Sequence, residues 1–217
     1  TTKPSVGFHP LSYGGLMVYF GTGKFLENFD NVATGTQVTQ SFYGIYDRGA
    51  TGRALEPSRR EATLIGRGDL LRQTITAGSP VTNTISGEVF NTRNISDTTI
   101  NWRLDRSTNG HLGWYVDLPT NGEKQVTDPL LREGRIIFST LSPGTDACNP
   151  GGTGWIMELD STNGGRIDET LDLNGNGKFD SLDGGGSNYG AAGAQPASGG
   201  SLSSPIVLTN PDGPPPP

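Results

Sequence analysis

The chain has 217 residues, a formal net charge of −6 at pH 7 and a single cysteine. An acidic chain lacks the basic surface that binding to nucleic acid or anionic membranes requires, and one cysteine cannot form a disulfide within the chain. No run approaches the roughly 18 apolar residues of a membrane-spanning helix. No signal peptide is recognisable at Thr1, so we expect a cytosolic protein or a mature or excised piece.

Short apolar segments rich in β-branched and aromatic residues follow one another along the chain, separated by Gly, Pro, Asn and Asp. This pattern is typical of strands joined by turns. The predicted strands are Leu16–Phe20, Phe42–Tyr46, Asp69–Ile75, Thr98–Leu104, Trp114–Leu118, Arg135–Leu141, Gly154–Asp160 and Pro205–Leu208. The one helical pattern, Ser58–Leu64, is short and poorly capped. We therefore predict an all-β sandwich, barrel or propeller.

Two of these segments are similar to each other: GWYVDLPTNGE at Gly113–Glu123 and GWIMELDSTNGGR at Gly154–Arg166. Each is predicted to be a strand that continues into an Asx- and Gly-rich turn. Their interval of about 40 residues fits one four-stranded propeller blade. We interpret them as equivalent positions in two blades; the alternative is a chance similarity in a Gly-rich β protein.

The composition changes towards the C-terminal end. We expect residues 1–208 to form the β domain. Gly184–Ser201 is rich in Gly, Ser and Ala, has no strand pattern and is predicted to be a flexible loop. Residues 209–217 are rich in proline, which favours a polyproline II tail or linker.

The segment most informative about chemistry is DLNGNGKFDSLD, from Asp172 to Asp183. Calcium takes six to eight oxygen ligands, and a 12-residue EF-hand-like loop supplies them from positions 1, 3, 5, 7, 9 and 12. In this chain those positions are Asp172, Asn174, Asn176, Lys178, Asp180 and Asp183. Position 7 uses its backbone carbonyl, so a lysine is acceptable there. Position 6, which must turn sharply, is Gly177.

Other features of the loop modify this prediction. Asn176 removes one negative charge, and an Asp in place of Glu at position 12 shortens the bidentate reach, so we expect micromolar-to-millimolar affinity. Phe179, at position 8, is expected to point inward. No helices flank the loop, so it is an EF-hand-like loop in a β framework. The alternative is an Asn/Gly-rich hairpin without an ion.

We find no catalytic constellation. The two histidines, His9 and His111, have no Glu or Cys at zinc-ligand spacing, and Cys148 has no flanking base. Arg67–Asp69 spells RGD, an integrin-binding tripeptide, but Gly66–Gly68 favours a simple turn. We predict that the chain is not an enzyme and has no catalytic or organic-cofactor site.

Several long segments, in order, resemble the C-terminal β-propeller domain of the PilC/PilY family of type IV pilus proteins. They are GLMVYFGTGKFLE (Gly15–Glu27), QSFYGIYD (Gln40–Asp47), GWYVDLP (Gly113–Pro119), VTDPLLREGRIIFSTLSP (Val126–Pro143) and GGTGWIMELD (Gly151–Asp160). The resemblance implies a modified quinoprotein-like β-propeller. Seven blades need roughly 280 residues, so a partial propeller, either a fragment or a reduced member, is expected.

The resemblance also implies a calcium loop of the type DxNxDxxxD. Carried over by position, its ligands are Asp172, Asn174, Asn176, the Lys178 carbonyl and Asp180. Asn176 departs from the usual Asp. Asp183 rests on the general loop pattern alone.

The family further implies a calcium-dependent pilus-tip assembly and adhesion protein. Such a protein supports pilus extension against retraction, twitching motility and surface attachment. The implied partners are minor pilins and a host or abiotic surface. The implied location is the pilus tip on the cell surface, reached through the periplasm and outer membrane.

Two alternatives stay open. The first is a quinoprotein-like propeller enzyme, although one cysteine excludes the vicinal pair that such enzymes often use. The second is a dockerin-like secreted calcium-binding interaction module, although dockerins carry two such loops on helices and this chain has one.

Overall fold

The computed structural model of the protein describes residues 2–26, 30, 35–47, 65–103, 110–144, 152–185 and 190–206. In these ranges the regular structure consists of strands and two single-turn 3-10 helices, Arg67–Asp69 and Ser181–Asp183. The strands are β1 (Ser5–Phe8), β2 (Leu16–Gly21), β3 (Ser41–Asp47), β4 (Leu71–Gln73), β5 (Ile75–Ala77), β6 (Val81–Thr82), β7 (Val89–Ile95), β8 (Gly113–Asp117), β9 (Leu130–Arg132), β10 (Arg135–Ser139), β11 (Ser142–Pro143), β12 (Gly152–Thr153), β13 (Ile156–Asp160) and β14 (Gly193–Pro196). The predicted all-β class is confirmed.

Two main sheets carry most of the strands. The first has five strands in the order β1-β2-β3-β8-β4. The second has seven, in the order β5-β7-β14-β13-β10-β9, with β6 also paired to β7. The pairs in both sheets are antiparallel, except that β4 runs parallel to β8.

One hydrophobic core lies between the two sheets. In β2, Met17 and Tyr19 are buried while Val18 is half-buried, because successive side chains of a strand point to opposite faces. Across the core, the rings of Phe42 in β3 and Phe138 in β10 are stacked with centroids 3.9 Å apart. This shared core fixes the two sheets relative to each other.

Five predicted strands are confirmed, with ends that differ by at most two residues. Leu16–Phe20, Phe42–Tyr46, Trp114–Leu118, Arg135–Leu141 and Gly154–Asp160 correspond to β2, β3, β8, β10 and β13. These segments combine strong β propensity with a clear pattern of buried residues. Such strands are specified largely by their own residues.

Two strand predictions are wrong, and the side chain of Gln73 contacts both of the segments concerned. The single strand predicted at Asp69–Ile75 is divided into β4 and β5, which lie in different sheets. The strand predicted at Thr98–Leu104 shows only one bridge, between Trp102 and His111, in its described part. The buried Gln73 amide donates to the Thr98 carbonyl at 2.9 Å and accepts from the Thr98 N–H at 3.2 Å. The Gln73 side chain thus forms the hydrogen bonds to the Thr98 backbone that a neighbouring strand would otherwise form.

The expectation that Gly184–Ser201 contains no strand is also wrong. This stretch contains β14, an inner strand that pairs with β13 and β7. Its small residues reflect close packing, because a Cβ atom on Gly193 would lie 2.3 Å from the Met157 sulfur. Ala192 and Ala194 are buried beside it.

The two similar segments each provide an inner strand, but of different sheets. The strand of Gly113–Glu123 is β8, between β3 and β4, and that of Gly154–Arg166 is β13, between β14 and β10. Both main sheets exceed the four strands of a propeller blade. The partial propeller stays a prediction.

Some predictions fall outside the described residues. They concern Ser58–Leu64, Cys148, Leu208 and residues 209–217. Pro205 and Ile206 are described and lie outside any strand. Within the described ranges, no helix has the length and apolar character needed to cross a membrane.

Candidate calcium-binding loop

The candidate loop connects β13 to β14 and is anchored at its start. Leu173 is 7% exposed and packs in a small second core with Val81, Ala191 and Ala194. The 3-10 turn Ser181–Asp183 closes the loop, with the Asp180 carboxylate accepting from the Leu182 N–H at 2.8 Å. The start of the loop is therefore fixed in the second core, and its end is closed by a local turn.

Asp172 organises the first half of the loop. Its Oδ1 accepts from the N–H groups of Gly175 and Asn176 at 2.9 and 3.1 Å, and its Oδ2 accepts from that of Gly177 at 2.8 Å. The chain can curl around one carboxylate because Gly175 and Gly177 have φ of +74° and +77°, a region that favours glycine. The sharp turn predicted at Gly177 is confirmed, and Gly175 is a second one.

The polar side chains that follow make Asx turns. Asn174 Oδ1 accepts from the Asn176 N–H, and Asn176 Oδ1 accepts from the Lys178 N–H, both at 2.8 Å. The Asn176 amide nitrogen also lies 3.5 Å from Asp180 Oδ2. These contacts join Asp172, Asn174, Asn176 and Asp180 into one hydrogen-bonded group. Asp172 Oδ2 and the two asparagine oxygens each accept only one of these bonds and keep a further lone pair, so the group can also accept a hard cation.

Asp183 has a different position from the other acidic residues. It is fully buried. Its Oδ1 accepts from the N–H groups of Leu173 and Asn174 at 2.9 and 3.1 Å, and its Oδ2 accepts from that of Asp180 at 3.0 Å. Asp183 thereby ties the beginning of the loop to its end. Its predicted role as a direct ligand stays a prediction.

The donor set of the loop is mixed. Within the described part of the chain, no three or more His, Cys, Asp or Glu side chains converge in a metal-binding group. The candidate set therefore comprises the carboxylates of Asp172 and Asp180, two asparagine amides and the Lys178 carbonyl. Such uncharged and carboxylate oxygens suit Ca²⁺, which tolerates irregular coordination, better than Mg²⁺. The residues present fit calcium.

The chain was compared with family models, with curated proteins and with solved structures. No protein-family model matches the chain. The chain is 32% identical over 186 residues to the type IV pilus biogenesis factor PilY1 of Pseudomonas aeruginosa strain PAO1, covering 83% of this chain and 15% of that protein. The crystal structure of the P. aeruginosa PilY1 C-terminal domain has a TM-score of 0.76 and 28% identity, covering 98% of this chain and 41% of that chain.

The chain belongs to the PilC/PilY family. A PilY1 homolog of Xylella fastidiosa is also 32% identical over 157 residues, covering 70% of this chain and 9% of that protein. The chain spans about 15% of the length of the P. aeruginosa relative. The resemblance inferred from the sequence motifs is thus confirmed, and the chain is homologous to the PilY1 C-terminal domain.

The side chains of Phe179 and Lys178 in this PilC/PilY chain add to the description of the loop. Phe179 was expected to point inward but is 53% exposed. In this β framework Leu173, rather than position 8, anchors the loop in the core. Lys178 is exposed, and within the described residues its side chain forms no ion pair with Asp172 or Asp180.

The RGD tripeptide is engaged within the protein itself. Arg67 forms an ion pair with Asp117 at 2.6 Å, and Asp69 forms one with Arg103 at 2.8 Å. Hydrogen bonding from the Gly66 backbone and from Arg103 lowers the pKa of Asp69. Both charged ends of the tripeptide thus stabilise the fold, which favours the interpretation as a simple turn.

Sequence reasoning missed three residues that contact the backbone of the loop or of Gly184 directly after it: Asn83, Thr84 and Thr92. Asn83 donates to the Leu173 carbonyl at 3.0 Å, and Thr84 donates to the Asn174 carbonyl at 2.9 Å. The contacts span about 90 positions of sequence. The β6–β7 hairpin, whose strand β7 also pairs with β14, brings them to the loop.

Proposed function

We propose that the chain is a calcium-dependent module of a type IV pilus assembly and adhesion protein, acting in pilus extension against retraction, twitching motility and surface attachment. The observation that carries the pilus role is the homology to PilY1 proteins, whose names describe them as type IV pilus biogenesis factors. Those names also favour a non-enzymatic role. A quinoprotein-like enzyme or a dockerin-like module gains no comparable support.

The loop geometry supports calcium as the cofactor. The carboxylates of Asp172 and Asp180 both contact Asn176, and in the described residues neither forms an ion pair with a basic side chain. A bound Ca²⁺ would neutralise these two negative charges and link oxygens from both halves of the loop. With two carboxylates and neutral donors, the affinity falls towards the weak end of the known calcium range.

Calcium would act as a switch on loop order. A ligand shifts a conformational equilibrium only by its difference in affinity for the two states, and the ion binds only when the oxygens converge. An ordered loop then presents a defined surface to partners. We place these partners among minor pilins at the pilus tip and host or abiotic surfaces, which locates the protein on the cell surface after export through the periplasm and outer membrane.

Calorimetric titration tests the ion directly. The wild-type chain should bind calcium saturably, and Asp172→Ala should abolish this binding by removing the carboxylate around which the loop curls. Asp168→Asn is the matched control, because Asp168 has the same charge but a 74% exposed side chain before the loop. Equal binding by Asp172→Ala, or no wild-type binding at millimolar calcium, would contradict the proposal.

The pilus role needs a test in cells. Asp172→Ala and Asp168→Asn are introduced into the complete chromosomal gene of the source bacterium. Surface pili and twitching are then measured in strains with equal protein levels. We expect Asp172→Ala to reduce both and Asp168→Asn to reduce neither. Unchanged piliation in both strains would separate the loop from pilus function.

A further inference from the structure

We propose that the turn of the β6–β7 hairpin, residues 83–88, is an outer layer of the calcium site. Asn83 and Thr84 are its positioning residues, and bound calcium in turn orders this hairpin. This inference rests on the proposed function, because it takes the loop at 172–183 as a calcium site. It adds a second segment of the chain whose order depends on the ion.

The first step is the set of contacts at the beginning of the loop. Thr84 donates both its N–H and its hydroxyl to the Asn174 carbonyl, each at 2.9 Å. The Asn83 side-chain amide donates to the neighbouring Leu173 carbonyl at 3.0 Å. The N–H groups of the same two loop residues donate to Asp183. The backbone that carries the predicted ligand Asn174 is therefore held on both sides.

The second step is the double role of Asn83. Its Oδ1 accepts from the N–H groups of Ile85 and Ser86 at 3.0 and 2.9 Å, and its backbone carbonyl accepts from that of Gly87 at 2.9 Å. One side chain thus closes the hairpin turn with its oxygen and holds the calcium loop with its nitrogen. A change in the loop is transmitted to the turn without any intermediate residue.

The third step is a contact at the other end of the loop. Thr92, in β7, shares its hydroxyl hydrogen between the carbonyls of Ser79 at 2.7 Å and Gly184 at 3.2 Å. Gly184 directly follows Asp183. The same hairpin therefore contacts the start of the loop and the residue directly after its end, so ordering of the loop also affects the contacts of β7.

Energetic coupling between two sites is reciprocal. If the hairpin stabilises the calcium-binding form of the loop, calcium must stabilise the loop-bound form of the hairpin by the same free energy. The tip of the hairpin carries Ile85, which is 83% exposed. The position of an apolar side chain at the protein surface thereby depends on bound calcium.

Two substitutions test the positioning role. Thr84→Val removes a hydroxyl donor while keeping the shape, and Asn83→Asp replaces the donor to the Leu173 carbonyl with an acceptor. Loss of an outer-shell partner typically lowers metal affinity by about 10–100-fold, and we expect such a loss by calorimetry. Ser86→Ala is the control, because its hydroxyl accepts only from Glu88 within the same turn. Melting in chelator verifies that each variant is folded.

Two glycines give a second matched pair. Gly175 and Gly177 have nearly the same positive φ, so an alanine is similarly strained at either position. A Cβ atom on Gly175 would lie 3.0 Å from the Asn83 amide nitrogen, whereas one on Gly177 would contact nothing within 4 Å. We expect Gly175→Ala to weaken calcium binding more than Gly177→Ala does. Equal effects would contradict a role for the hairpin contact.

Hydrogen exchange gives a readout that does not depend on affinity. In the wild-type chain, calcium should slow exchange of the amides of residues 85–87, and Thr84→Val should reduce this protection at saturating calcium. Calcium binding with unchanged exchange of the hairpin, or wild-type affinity in both Thr84→Val and Asn83→Asp, overturns this inference alone. Absence of calcium binding by the wild-type chain overturns the proposed calcium dependence and this inference with it.

Discussion

Arg93 and Glu123 form a bidentate ion pair in the protein interior, with both N–O distances at 2.7 Å. Their side chains are 4% and 0% exposed. The Arg93 guanidinium also lies 3.9 Å from the centre of the Trp155 ring, and Thr140 donates its hydroxyl to Glu123 Oε1 at 2.7 Å. The pair therefore joins β7 to the segment that follows β8.

Removing one partner of this pair should be strongly destabilising. Glu123→Gln leaves the buried guanidinium without a counter-charge, and a broken buried ion pair typically costs about 3–5 kcal/mol. Arg132→Met is the control, since its pair with Glu133 is exposed and worth about 1 kcal/mol or less. Urea denaturation measures both free energies of unfolding. A loss for Glu123→Gln no larger than the control would contradict this prediction.

The extent of sequence-based prediction differs between local and long-range features. The Asp172 turn was predictable because its partners lie within five positions, and aromatic strands such as β3 carry their own pattern. Gln73 and Asn83 act through backbone groups far away in sequence, so no local spacing reveals them. In β14, Gly and Ala are typical of flexible loops, and only the nearby Met157 explains why small residues are required.

The burial of His9 predicts that the stability of the protein depends on pH. It is 3% exposed, contacts the rings of Tyr13, Tyr46 and Trp102, and accepts at Nδ1 from the Leu11 N–H at 3.2 Å. Burial lowers the pKa of His9 below its usual value of about 6.5. The unfolded chain then binds more protons between the two pKa values, so the free energy of unfolding must decrease as pH falls below about 6.5.

His9→Phe isolates this contribution. Above pH 6.5 the contribution of His9 to the free energy of unfolding is fully present. Below pH 6.5 the wild type should lose stability relative to His9→Phe. Urea midpoints measured from pH 8 to pH 4.5 give the difference curve, in which carboxylate effects cancel. His111→Phe serves as the control for removal of a histidine elsewhere. A flat difference curve for His9→Phe would contradict the prediction.

The close approach of Gly44 in β3 to Trp114 in β8 predicts that a larger residue at position 44 lowers stability. It pairs with Trp114, and a Cβ atom on Gly44 would lie 2.5 Å from the Trp114 ring. Because Trp114 is fully buried, the ring cannot move away, and overpacking of this kind typically costs about 1–3 kcal/mol. Gly68→Ala is the control, since its Cβ would contact nothing within 4 Å. Thermal melting should show a clear decrease for Gly44→Ala only.

Asp183 and Asp180 should respond differently to the same substitution. Both are in the candidate loop, but Asp183 is fully buried and accepts three backbone N–H bonds. In Asp183→Asn an amide NH₂ group replaces one accepting oxygen, which leaves a buried N–H without its acceptor and costs about 1–3 kcal/mol. This loss should be present in chelator. Asp180→Asn keeps an oxygen for the Leu182 N–H and removes mainly the negative charge that attracts calcium.

Melting curves in chelator and in saturating calcium distinguish the two roles. Asp183→Asn should melt below the wild type in both conditions, because loop closure does not depend on the ion. Asp180→Asn should melt no lower than the wild type in chelator and fall below it only with calcium, since a ligand at 100 times its dissociation constant adds about 2.7 kcal/mol to stability. Equal behaviour of both variants in chelator would show that Asp183 does not close the loop.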